Sequence, residues 1–234
     1  MVKRAGGESL AVNVYEQLRF DILDRRFAPG ERLMPVDLCR RFGVSISVMR
    51  EALGLLVAQN LVDIERNRGF RVMSLSLDAL KDLTAVRKIN EGAALRLAVG
   101  RGGVAWESEL LAAHHRMAGV PMNVPGRPNV RNRDWATAHV AFHYTLIEAC
   151  GNPILLDICA RLSDAAELYR AWAGDGGEFK RDVAAEHKAL LDAALAHDAD
   201  LAVCLFEAHV DRTAEIVLNL EDLSPDLQEL EATA

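Results

Sequence analysis

Apolar residues recur at helical spacing through residues 10–26, where Val14, Leu18, Ile22 and Leu23 are separated by polar and charged positions. Pro29-Gly30 ends that periodicity, because proline lacks a backbone donor and glycine permits the turn. After a short link, Pro35 suits the first turn of a second helix, PVDLCRRF, and Gly43 its C-terminal stop. Ser45 is placed to cap a third helix whose inward stripe is Met49, Leu53 and Leu56. Two alternating runs, Leu61 to Ile64 and Phe70 to Leu75, then read as strands joined by a turn at Arg66 to Gly69. Three short helices followed by a two-stranded basic ribbon predict a winged helix-turn-helix over residues 1–76.

Beyond Ser76 the pattern is helical, over 78–100, 104–119, 131–150, 152–173, 178–197 and 199–221. Gly102-Gly103, Pro121 to Pro128, Gly151-Asn152-Pro153 and Gly174 to Gly177 interrupt it, and no strand pattern is visible. The expected fold is mainly α: the N-terminal winged helix, then an all-helical antiparallel bundle over 77–222 and a frayed polar tail at 223–234.

Composition sharpens this division. The chain has 234 residues, 50% hydrophobic and 26% charged, an ordinary globular balance that excludes collagen-like and disordered classes. The net charge of −7 is uneven: +3 over residues 1–76 and −10 over the remainder, which also holds all seven histidines. Four scattered cysteines form no CxxC pair, no apolar run is long enough for a membrane span, and MVKRAGGESL lacks a signal-like apolar stretch. A cytoplasmic protein without membrane contact is the expectation.

On the third helix, Ser45, Ile46, Ser47 and Arg50 lie opposite the buried stripe, where base edges would be read. Arg50 also has Glu51 beside it as an ion-pair partner. Arg40 and Arg41 close the second helix where phosphates would pass, and Arg66, Arg68, Gly69 and Arg71 belong to the wing. In the bundle, His139 and His143 share one helix face, while His187 and His209 sit at equal distances from the bend at Asp198 to Asp200. If these helices pack together, four imidazoles converge on a divalent-metal site; the same spacing also fits hydrogen-bonded core histidines. Glu186, beside His187, points about 100° away. His114, His115 and His197 have no partner by spacing and read as exposed, and Trp106, Trp135 and Trp172 read as core or interface aromatics.

The stretch PGERLMPVDLCRRFGVSISVMREALGLLVAQNLVDIERNRGF resembles the winged-helix domain of GntR-family bacterial regulators, a likeness spanning residues 12–73. One departure is Ile46, where the family usually carries arginine; a methyl-rich side chain there suits a thymine methyl. Residues 78–221 resemble the FCD effector domain of one GntR subfamily, in its shorter six-helix variant. The matching residues are Arg87 and Glu91, Phe142-His143, Gly151-Asn152-Pro153, Glu186-His187 and His209. The resemblance implies a metal held by His143, His187 and His209, with His139 replacing the family's acidic ligand. That replacement leaves a bound cation more positive and inclines the site to anionic effectors and softer metals. Arg87 and Asn152 are implied as effector contacts; a structural pair with Glu91 and a helix cap before Pro153 are their competing roles.

The expected function is a metabolite-responsive transcription regulator rather than an enzyme, acting as a homodimeric repressor on a pseudo-palindromic double-stranded DNA operator. The bundle would hold a divalent metal, zinc foremost and nickel, iron, copper or manganese otherwise, and a small organic acid. The competing readings are a metal-dependent hydrolase with a winged-helix appendage, and a dimerisation bundle with a structural metal.

Overall fold

The computed structural model describes residues 9–65, 69–173 and 181–221. The chain forms two compact units, Met1–Ser76 and Leu77–Ala234. Arg66, Arg68, the glycines at 174–177 and the tail at 223–234 lie outside the described residues.

In the first unit, α1 (Leu10–Leu23) starts at Ser9, whose hydroxyl accepts from the Val12 N–H, and buries Val14, Leu18 and Ile22. Helix α2 (Pro35–Phe42) opens on proline and ends at Gly43, which takes the left-handed conformation (φ 67°) and donates to the Cys39 carbonyl. Ser45 caps α3 (Ile46–Ala58), and Met49, Ala52, Leu53 and Leu56 are buried along its inner face. Strands β2 (Val62–Glu65) and β3 (Gly69–Val72) pair antiparallel. The link before α2 does more than connect: β1 (Arg32–Leu33) adds to the outer edge of β3, giving the order β1-β3-β2. Leu33, opposite Phe70 across this edge, is buried, and β2 packs against α3.

The second unit is built from α4 (Leu77–Arg101), α5 (Val104–Ala118), α6 (Arg133–Glu148), α7 (Pro153–Ala173), α8 (Val183–Leu195) and α9 (Ala199–Glu221). Helix α4 packs on α9, α7 and α6, while α8 packs on α9 and α5. Leu95, Leu110, Phe142, Leu146, Leu190 and Phe206 belong to their shared core. Among the described residues, no helix is long and apolar enough to cross a membrane.

One element contradicts the strand-free expectation for this half. Strands β4 (Asn123–Val124) and β5 (Arg127–Arg131) form an irregular antiparallel hairpin through Gly126, whose φ of 77° favours glycine. Its two prolines and short strands hid it from periodicity. The Asn132 N–H donates to the Met122 carbonyl, and Asn132 then caps α6, so the hairpin leads directly into the histidine-bearing helix.

Candidate metal centre and nucleic-acid face

Helix α6 carries His139 and His143 one turn apart, α8 carries His187, and α9 carries His209. Antiparallel packing of α8 and α9 brings the last two rings to 4.9 Å between centroids; His143 lies 5.2 Å from His187 and 5.1 Å from His209. Each ring offers a ligand nitrogen, and the four lie within 4.8 Å of one another.

The rings are held neutral. Burial pushes His139 and His143 well below the usual imidazole range, reinforced by the neighbouring histidines. Burial likewise takes His187 down to about 2 and His209 to about 4, the latter partly offset by its hydrogen bond to Glu186. Neutral imidazole is the form that ligates metals.

The spacing of the ring nitrogens tests whether a divalent cation fits. The Nε2 atoms of His143 and His187 are 3.2 Å apart, close to the edge of about 3.3 Å for a tetrahedron around an ion about 2.0–2.1 Å from each nitrogen. His143 Nδ1 is buried without a hydrogen-bond partner. With Nε2 as the ligating atom this Nδ1 carries the proton and stays unpartnered, at a cost of about 1–3 kcal/mol, so the ring spacing rather than this atom is what fits a cation. The donor set fits a metal.

Residues around the rings complete the arrangement, and sequence reasoning missed several of them. Glu186 does not point idly away: its Oε2 lies 2.9 Å from His209 Nδ1, reaching the neighbouring helix. Arg181 donates to both Glu186 oxygens, Arg212 adds a third contact, and the carboxyl stays ionised despite the opposing effect of burial. Arg181 is also 3.0 Å from His209 Nδ1. The two hydrogens of Arg181 NH2 serve Glu186 and the His209 carbonyl, so the His209 Nδ1–H donates to the Glu186 carboxylate, which leaves Nε2 of His209 as its ligating nitrogen. Trp135, expected as a core or interface aromatic, stacks on His139 at 4.7 Å with 19° between planes. Its signal was present in the four-residue step from Trp135 to His139.

Arg87 is buried and donates to Glu91 through Nε (2.6 Å) and NH2 (3.0 Å), so the structural pair weighed against an effector role is formed. Burial would lower its pKa, but Glu91 outweighs it and the net shift is upward. Arg87 and Arg170 line a small cavity of about 10 Å³ with Thr84, Tyr169 and Thr213, room for about one water. Arg170 is paired with Glu167, yet its pKa falls through burial. Asn152 is exposed and its Oδ1 accepts from the Leu155 N–H, the capping role.

His114 is half-buried against Phe142, not exposed as expected. His197 is exposed but not partnerless: its ring meets the Val99 carbonyl at 2.8 Å and Glu107 at 2.9 Å, contacts between distant helices that spacing could not show. Trp106 is a core residue whose indole donates to the Thr145 carbonyl.

On the first unit, Ser45, Ile46, Ser47 and Arg50 are exposed on one side of α3, with Ile46 45% accessible. Arg50 forms no ion pair with Glu51 or any other described residue. Arg40 is exposed and pairs with Asp37. Arg41 differs from expectation, since its NH2 donates at 2.6 Å to Asp21, a carboxylate 2% exposed on α1. Arg71 is likewise engaged, with Glu65 and the Gly30 carbonyl. Gly69 starts β3 opposite Glu65 with φ 96°.

A winged helix with an exposed arginine on its third helix, followed by a helical bundle enclosing four imidazoles, has the make-up of a DNA-binding regulator. Comparison with known proteins agrees. Residues 10–72 match the bacterial regulatory proteins of the gntR family and residues 82–212 the FCD domain, and the chain belongs to the GntR family. It is 36% identical over 213 residues to the HTH-type transcriptional regulator BphR of Paraburkholderia xenovorans, covering 91% of this chain and 87% of BphR. It is 32% identical over 200 residues to the HTH-type transcriptional repressor GlaR of Escherichia coli, covering 84% and 90% respectively. The solved Escherichia coli McbR/YncC structure shares the fold with a TM-score of 0.73 at 19% identity, covering 92% of this chain and all of that one. These relatives are regulators, which sets the hydrolase alternative aside.

Proposed function

We propose that the protein is a metabolite-responsive repressor whose helical unit holds a divalent metal through His139, His143, His187 and His209, with a small organic acid as effector. The observation that carries this reading is the convergence of four neutral imidazoles, each offering a ligand nitrogen within 4.8 Å of the others. Zinc suits an all-imidazole set best, and nickel, iron, copper and manganese are the alternatives. Bound metal would supply a positive centre for anionic ligands, undiminished by any carboxylate ligand.

Arg87 is the candidate grip on the effector, where an incoming carboxylate would exchange with Glu91 on the same bidentate guanidinium. A cavity with room for about one water requires the helices around it to shift as the acid enters. Such a shift would bias the orientation of the DNA-binding units by the effector's differential affinity for the two states. Asn152, as an exposed cap, has a lesser claim to that role.

For DNA, Arg50 and Ile46 read base edges, with Ser45, Ser47 and Arg40 contacting phosphates or sugars; Arg66, Arg68 and Gly69 are the wing's candidates. Arg41 acts mainly through Asp21. A homodimer would place two α3 helices in successive major grooves about 34 Å apart on a pseudo-palindrome, in the cytoplasm. Repression is supported by the 32% identity to the repressor GlaR. Elemental analysis of purified protein tests the metal directly: His187→Ala should lower the bound metal per chain, and full retention would exclude His187 as a ligand.

A further inference from the structure

Arg131, Trp135, His139 and His143 follow one another at four-residue spacing, from the end of β5 into α6. The structure turns this spacing into a continuous column. The Arg131 guanidinium carbon is 5.3 Å from the Trp135 ring centroid. Trp135 stacks on His139 at 4.7 Å, and His139 meets His143 edge-on at 4.5 Å. Unlike His209, His139 has no hydrogen bond to hold its ring among the described residues; Glu167 stands 3.9 Å from its Nδ1, beyond hydrogen-bond reach.

We propose that Trp135 and Arg131 are positioning residues for the metal centre: stacking replaces the missing hydrogen bond at His139, and Arg131 ties the β4–β5 hairpin to the centre's occupancy. This rests on the metal reading above. The indole face fixes the imidazole plane, and the guanidinium over that indole holds the indole in turn. The hairpin can transmit this contact because its base is anchored, with Met122 and Val120 packed on the helical core and Asn132 capping α6. Coupling between two sites is reciprocal: if docked Arg131 raises metal affinity by some factor, bound metal stabilises the docked hairpin by the same factor.

Cobalt(II) is the probe, because its visible absorption reports ligand geometry as well as binding. Titrations of the full chain compare the wild type with R131M, R131K, W135L and W135F. W135L should weaken cobalt binding by about tenfold, the lower end for loss of a group orienting a ligand. R131M should weaken it by about two- to fivefold, with R131K restoring it, and both losses should shift the visible bands. W135F, which keeps an aromatic face, should recover most of the affinity. In wild type, cobalt should slow amide exchange in 123–131 by the factor that R131M loses. Should W135L disturb folding, R131M against R131K decides alone, since Arg131 is only half-buried. Wild-type affinity and an unchanged spectrum in R131M would overturn the proposal while leaving the metal reading intact. A wild type that binds no cobalt would instead refute the metal reading beneath it.

Discussion

Removing metal and lowering pH together should strip the helical unit of much of its stability. In the folded, metal-free chain His187 is held at about 2 and His209 at about 4, against an ordinary 6.5 in an unfolded chain. The folded state therefore binds fewer protons than the unfolded state, so its stability falls as pH drops below about 6.5. For each such ring the loss between pH 7 and 5.5 is about 1 kcal/mol by linkage. These two rings together give about 2 kcal/mol. His139 and His143 are displaced in the same direction and add to the loss. Domains of this kind have about 5–15 kcal/mol in all, so the effect is large. All three tryptophans, Trp106, Trp135 and Trp172, lie beyond residue 76, so tryptophan fluorescence reports the helical unit alone. Chelator-treated protein is unfolded in urea at pH 7.0, 6.5, 6.0 and 5.5, and the midpoint should fall steadily. Saturating metal at about 100 times its Kd should restore about 2.7 kcal/mol. A midpoint independent of pH in the chelated protein would refute the buried neutral cluster.

The DNA-facing residues give three further expectations. Arg50→Ala should relax selectivity at one base pair by about 1–3 kcal/mol, read by titrating operator variants; unchanged selectivity would remove Arg50 from base reading. Ile46→Ala should weaken operator binding, and the loss should vanish on operators with uracil in place of thymine; an equal loss on both would show that no thymine methyl is read. Arg41→Ala should cost about 1–3 kcal/mol of folding stability, because Asp21 loses its closest partner while remaining buried; a calorimetric profile matching wild type would free Arg41 for phosphate contact.

Local order was readable because it is written in short-range rules. The Ser45 cap, the Gly43 stop, the Met49–Leu53–Leu56 stripe and the four-residue step between His139 and His143 each depend on neighbours along one helix. The hairpin at 123–131 escaped because strands of two and five residues with an irregular register leave no alternation to detect. Arg41 and Arg71 show the complementary error. Both lie in regions where arginine suits phosphate, and nothing local reveals that Asp21 or Glu65 has claimed the guanidinium first.

The amino-acid order by itself determined the two-part chain, the helices that carry the histidines and the exposed side of α3, since caps, breakers and apolar period act within a few residues. The convergence of His187 and His209 with the α6 pair, the reach of Glu186 to a neighbouring helix and the stacking of Trp135 on His139 belong to the tertiary structure. Each requires helices distant in sequence to pack at a particular rotation, and that rotation is set by how the whole core fills its space rather than by any local signal.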